Sequence, residues 1–163
     1  MLAADPAASI ASIATEAGVD RRTVYRRFAS REDLLAAVHE ARLTAIEHAV
    51  RDARLREAPV AVALHRYVEH IIVVNRDWPV DLTRMLADDA LRTRRDASVH
   101  EVDVFLERAT DEGLLRTGLP QGWASALLPQ LMHLVARQLP DLSPGQAADV
   151  VVDTLLHGLG TSS

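Results

Sequence analysis

The sequence predicts an all-α protein, and three observations carry that prediction. Apolar residues recur at intervals of three and four almost throughout the 163 residues, no stretch sustains a period-two alternation, and no Asn-Gly or Asp-Gly pair offers a hairpin turn. Pro and Gly then cut the chain into helical segments. Ser9 to Ala17 reads as a short helix with Ile10, Ile13, Ala14 and Ala17 on one face, Ser9 as its N-cap and Gly18 as its stop. Asp20 can cap a second short helix running to about Phe28.

With Ser30 as cap, a long helix begins at Arg31 and is predicted to continue to about Arg56, carrying Leu34, Val38, Ala41, Ala45, Ala49 and Ala53 at helical spacing. Pro59 is placed in the first turn of the next helix, whose stripe of Val60, Leu64, Tyr67, Ile71 and Val74 runs up to Pro79. Val68, Ile72 and Val73 add a second apolar face, which predicts a central position. The remaining segments are a shorter helix over Val80 to Ala90, a long one over Thr93 to Leu115, then Pro120 to Leu139 and Ser143 to Leu159. Pro129 should kink or break the penultimate helix.

Composition excludes several classes of function. There is no Cys, hence no disulfide framework, no Cys-bound zinc or iron–sulfur centre and no thiol nucleophile. No apolar run approaches the roughly 18–20 residues of a membrane span, and Met1 to Pro6 has neither a basic nor an apolar leader region, so a cytoplasmic protein with no membrane partner is expected. The seven His form no His-x3-His set, and His65 and His70 fall on different faces of a helix. Asp88-Asp89 and Asp111-Glu112 are adjacent and therefore diverge, and no phosphate loop or nucleophile elbow is present. No enzyme activity, catalytic residue, metal or cofactor is expected. Arg92 to Arg95 reads as a solvated helix start.

Charge is distributed unevenly. All 18 cationic residues are Arg, which with the abundance of Ala reads as gene base composition. Between Asp20 and Arg31, however, five Arg stand against one acid, a local net of +4 in a chain of −5, leaving −9 on the remainder. A cationic head on an acidic body is the layout of a protein that touches a polyanion at one end.

The two short helices flanking Gly18 meet the demands of a helix-turn-helix, because Ala14 allows close crossing and Gly18 supplies backbone freedom. In such a unit the second helix enters the major groove with its N-terminal residues against base edges. Those residues are Arg21, Arg22 and Thr23, with Arg26 one turn on; Arg can donate bidentately to guanine, and Thr can meet a base edge or a thymine methyl. Tyr25 and Ser9 can donate to phosphate, and Arg27 and Arg31 read as phosphate clamps. The competing reading has Tyr25 packing on Phe28 and the arginines forming only a solvated face.

The pattern Ser9-x3-Ile13-Ala14-x2-Ala17-Gly18-Val19-x3-Thr23-Val24-Tyr25-x2-Phe28-x-Ser30-Arg31-Glu32-x-Leu34-Leu35 resembles the DNA-binding signature of the TetR family of bacterial transcriptional regulators. Two positions depart from it: Arg22 stands where the family usually has Gly before the Thr, and Arg27 where it often has His before the Phe. Both add charge. The resemblance also implies a helix ahead of the motif, of whose last turn only Met1 to Asp5 stand in this sequence. Without it Ile10, Ile13, Val24 and Phe28 should be partly exposed, at about 1.5–3 kcal/mol each, so a mobile head on an incomplete three-helix bundle is expected.

The resemblance further implies a DNA-binding head over residues 1–48 and a ligand-binding, dimerising body over 49–163, with the last two long helices as the dimerisation pair. Leu127, Leu128, Leu131, Leu134 and Val135 in one, and Val150, Val151, Val152, Leu155 and Leu156 in the other, make both apolar on more than one face, as dimerisation or deep burial would require. Tyr67, His70, Trp78, Met85, Phe105, Trp123 and His133 are the candidate pocket residues, though for each of them ordinary core packing is the stronger of the two readings. With 4% aromatic residues, a mainly aliphatic cavity and a hydrophobic or weakly polar effector are expected. The reading is a ligand-responsive repressor that binds a palindromic operator on double-stranded DNA as a homodimer. The alternative is a dimeric small-molecule-binding protein whose incomplete head no longer binds DNA.

Overall fold

The computed structural model describes residues 9–78 and 88–158, and places in them the helices α1 (Ile10–Glu16), α2 (Arg21–Arg27), α3 (Arg31–Ala53), α4 (Val60–Asp77), α5 (Asp89–Asp111), α6 (Trp123–Gln138) and α7 (Pro144–His157). All secondary structure among the described residues is helical, as the periodicity predicts. Local capping chemistry accounts for most of the boundaries. Ser9 Oγ accepts from Ser12 N at 3.1 Å, and Asp20 Oδ1 accepts from Arg22 N at 2.7 Å. Ser30 with Asp33 and Ser143 with Gln146 form reciprocal capping boxes. Gly18, at φ +65°, takes the left-handed conformation that turns the chain between α1 and α2.

The boundaries of three helices differ from expectation. Helix α3 stops at Ala53 rather than near Arg56, because Arg54 adopts the left-handed conformation and its carbonyl accepts from both Glu57 N and Ala58 N. Arg108 of α5 then captures the freed Leu55 and Ala58 carbonyls at 2.7 and 2.6 Å. Helix α5 begins at Asp89, not Thr93, because Asp88 Oδ1 accepts from the amides of Ala90 and Leu91. The helix predicted over Val80 to Ala90 otherwise lies outside the described residues. Helix α6 starts at Trp123 behind Gly122, at φ +73°, and runs through Pro129 without breaking, with that proline exposed.

Helix α4 is central, packing against α3, α5, α6 and α7. Val60, Leu64, Tyr67, Ile71 and Val74 are all buried, as are Val68 and Ile72, while Val73 turns outward. Leu43, Leu64, Val68, Ile72, Phe105, Leu128, Met132 and Val151 are the largest fully buried side chains; each contributes about 1.5–3 kcal/mol of burial. Helix α3 has 23 residues and is about 34 Å long. It runs from the head, where Leu34 is buried, into the body, where Ala49 and Ala53 join the core, and the expected boundary at residue 48 falls within it.

Arginines hold α3 in place. Arg94 of α5 pairs with both carboxylate oxygens of Glu47 at 2.8 Å and donates to Thr44 Oγ1 at 3.2 Å. The Arg94 guanidinium hydrogen-bonded to Glu47 holds that carboxyl below the usual range, and Glu47 in turn raises Arg94. Arg92 to Arg95 is therefore more than a solvated helix start, because one of its members bridges to α3 across the bundle.

Candidate nucleic-acid interface

Helix α2 buries none of its residues. Arg21, Arg22, Thr23, Tyr25, Arg26 and Arg27 are all exposed. What holds the helix is its other side, where Val24 and Phe28, half-buried, face α1 and the start of α3. Ala14, 2% exposed, is the small residue at the crossing. Val19 N closes the turn by donating to Ala14 O at 3.0 Å. Tyr25 is 46% exposed, with the Arg21 guanidinium 5.5 Å from its ring centre, so both groups stand on the outer side of the helix. Arg27 lies 5.9 Å over the Phe28 ring. Arg31 is partly buried at the start of α3, and Ser9 is engaged as N-cap with its Oγ also 2.7 Å from Ser12 Oγ. A short cationic helix is thus presented outward, with Asp20 occupied in capping its N-terminus.

An apolar cavity of about 300 Å³ lies inside the head, lined by Ile13, Ala14, Val19, Val24, Phe28 and Leu34 among others. Ile13, Val24 and Phe28 remain partly exposed, as expected of this head, but Ile10 is buried, at 6% exposure, on the same inward face as Ala14 one turn later.

In the body, the six described candidate pocket residues stand in different surroundings. Tyr67 and Phe105 belong to the packed core, and burial pushes the Tyr67 hydroxyl well above its ordinary pKa. His70 is partly buried with Nδ1 lacking a partner, Trp78 is partly buried at the end of α4, and Trp123 and His133 are exposed on α6. Met85 lies outside the described residues. A cavity of about 470 Å³ in the body has none of the six described ones among its lining residues. It lies between α3 and α5, and its lining combines the charged Glu47, Arg51, Arg54, Arg56, Arg94 and Glu101 with the apolar Val50, Leu55 and Ala97, so it is not the mainly aliphatic cavity expected. Ion pairs such as Arg56 with Glu101, at 2.6 Å, line it. Among the described residues no group of three or more acidic or His side chains is placed to hold a metal, and no helix is long and apolar enough to cross a membrane.

Sequence reasoning missed Arg42. Its position four residues after Val38 in the apolar stripe of α3 was the available signal. The side chain is 5% exposed, and it ties α3 to the end of α4 through the Asn75 side chain and the Trp78 carbonyl.

Comparison with known proteins agrees with this architecture. Residues 6–38 match the sequence signature described as "Bacterial regulatory proteins, tetR family". The HTH-type transcriptional repressor LfrR of Mycolicibacterium smegmatis is 33% identical over 171 residues, spanning 99% of this chain and 85% of LfrR. The crystal structure of the TetR-like regulator LfrR from Mycobacterium smegmatis in complex with proflavine superposes with a TM-score of 0.74 at 29% identity, covering 99% of this chain and 90% of that one. PfmR from Thermus thermophilus, a TetR family transcriptional regulator, shares the fold with a TM-score of 0.71 at 21% identity, covering 96% of this chain and 91% of that one. With its cationic second helix turned outward and a relative of this identity along nearly its whole length, the chain belongs to the TetR family of bacterial transcriptional regulators.

Proposed function

We propose that the protein is a repressor whose α2 reads the major groove of a palindromic operator, as a homodimer released by a small effector. The carrying observation is that α2 exposes Arg21, Arg22, Thr23 and Arg26 and buries nothing. Arg21, Arg22 and Thr23 take the base-edge role with Arg26 one turn on; Ser9, Tyr25, Arg27 and Arg31 take phosphates. LfrR's name as a repressor and its solved complex with proflavine support the repressor and effector parts of this reading.

For dimerisation the supporting surface is on α6 and α7, the assigned pair. Trp123 and Leu134 are 51% and 54% exposed on α6, and Val150 is 38% exposed on α7, while Leu128, Met132 and Val151 face the core. One face of each helix packs within the protomer and another is left for a partner copy, which two-fold operator recognition requires. Residues 1–48 act as the reading head and 49–163 as the effector and dimerisation unit. An effector in the body tilts α3, and the head follows.

The test is a salt-titrated binding assay on DNA flanking the protein's own gene. Affinity should fall steeply with salt, and Arg21→Ala or Arg26→Ala should each weaken binding by about 10-fold or more with unchanged melting. Absent or salt-independent binding would leave the dimeric small-molecule-binding reading in its place.

A further inference from the structure

Among the described residues, Arg42 is a buried cation without a counter-charge. Its Nε donates to the Trp78 carbonyl at 3.2 Å and its Nη2 to Asn75 Oδ1 at 2.9 Å, both neutral acceptors. Nη1 is buried and has no partner, and no carboxylate among the described residues pairs with the guanidinium. Of the other arginines of the body that reach across to another segment, Arg94, Arg56 and Arg108 each meet a carboxylate, while Arg76 donates to the Leu142 and Leu139 carbonyls, leaving its Nε unpartnered, and is less deeply buried than Arg42. Burial lowers the Arg42 pKa. A guanidinium in that position is costly unless something anionic completes it.

We infer that Arg42 is the anion-recognising residue of the effector site, and that the effector is an apolar molecule bearing a single carboxylate. The guanidinium offers five N–H donors, and the two contacts present engage Nε and one Nη2 hydrogen. What is left is the end-on edge of Nη1 and Nη2, two parallel donors whose spacing matches the two oxygens of a carboxylate. A phosphate monoester carries about −1.5 to −2 at neutral pH and would bring more charge than this one cation neutralises. The location suits an effector, since α3 carries the head and Asn75 and Trp78 end the central helix α4. The inference rests on the effector-responsive reading above and sharpens it from a hydrophobic or weakly polar effector to an acidic one.

The experiment uses the full chain with Trp123→Phe, which leaves Trp78 as the sole tryptophan and a fluorescent reporter whose own carbonyl is an Arg42 acceptor. Octanoate and octanamide, of equal length and differing in charge, are titrated in turn at neutral pH. Octanoate should bind saturably and at least about tenfold tighter than octanamide. Arg42→Met should bring octanoate down to the octanamide level while the unliganded variant melts no lower, since an unmatched buried charge has been replaced by an apolar chain of similar length. Equal affinity for the two probes, no saturable binding of either, or undiminished octanoate binding by Arg42→Met would overturn the inference. If Arg42→Met does not fold, Arg42→Gln gives the same reading: it should lose the preference for octanoate, and a retained preference counts against the role of Arg42. Because binding is read on the protein alone, a failure to bind DNA would remove the regulator reading without touching this result.

Discussion

Helix α2 buries none of its residues, whereas α4 buries Val60, Ala63, Leu64, Tyr67, Val68, Ile71, Ile72 and Val74. The head keeps its seven-residue helices through caps, a left-handed glycine and an apolar inner side that is only half covered. The body relies on a contiguous aliphatic core reinforced by arginines that reach between helices. A reading surface must leave its side chains free for another molecule, so it forgoes the burial that stabilises helices, while the body turns its apolar residues inward. The difference teaches that recognition and stability are assigned to separate segments, joined by α3.

The widest consequence of that contrast is in local stability. Amides of α4 should exchange only through global opening, while those of α1 and α2 open locally, giving protection at least about a thousandfold lower in the head. Hydrogen exchange read residue by residue checks this; equal protection in α2 and α4 would erase the distinction. Side-chain truncation probes the same contrast next. Leu64→Ala, at a position with no exposed surface, should cost about 2–5 kcal/mol and lower the melting temperature by roughly 5–15 °C. Val24→Ala in the half-covered head should leave the main transition within about 2 °C of the parent and act only on head exchange. Thermal melts of the two variants decide it, and similar losses would mean that head and body unfold as one.

How much of this was legible in the sequence follows from the range of the forces involved. Ser9, Asp20 and Ser30 could be named as caps because a cap is settled within three residues, and the stripe of α4 because a period of 3.6 is local. The exposed arginines of α2 were legible for the same reason, since they depend on their own helix and not on distant packing. The end of α3 was not, because it requires Arg54 in a left-handed conformation and Arg108, distant in sequence, to take up the Leu55 and Ala58 carbonyls. Pairing of Arg94 with Glu47 and burial of Arg42 are likewise products of the bundle: a charged residue in a stripe can turn out to solvent or in to a partner, and only the crossing of α3 with α4 and α5 settles which. Aromatic side chains were no guide to burial, since Phe105 packs in the core and Trp123 lies on the surface.

The smallest expected effect concerns the helix shared by both regions. Glu47 sits in the body-side half of α3, and its pairing with Arg94 lowers its pKa in the folded chain relative to an unfolded glutamate. A depressed folded pKa means stabilisation that is fully present above the unfolded value near 4.3 and lost as pH falls through the folded one. Both partners are about one-third exposed, so solvent screening limits the pair to about 0.5–1 kcal/mol. Glu47→Gln should therefore melt about 1–4 °C below the parent at pH 7, with the gap starting to close as the pH falls through the unfolded value and gone once it is below the lowered folded one, where the parent carboxyl is itself protonated. A gap independent of pH would assign the loss to packing rather than charge. If the pair also fixes how the body grips α3, the same substitution should change operator affinity at pH 7 while leaving head exchange as it was, which would separate the lever from the head that it carries.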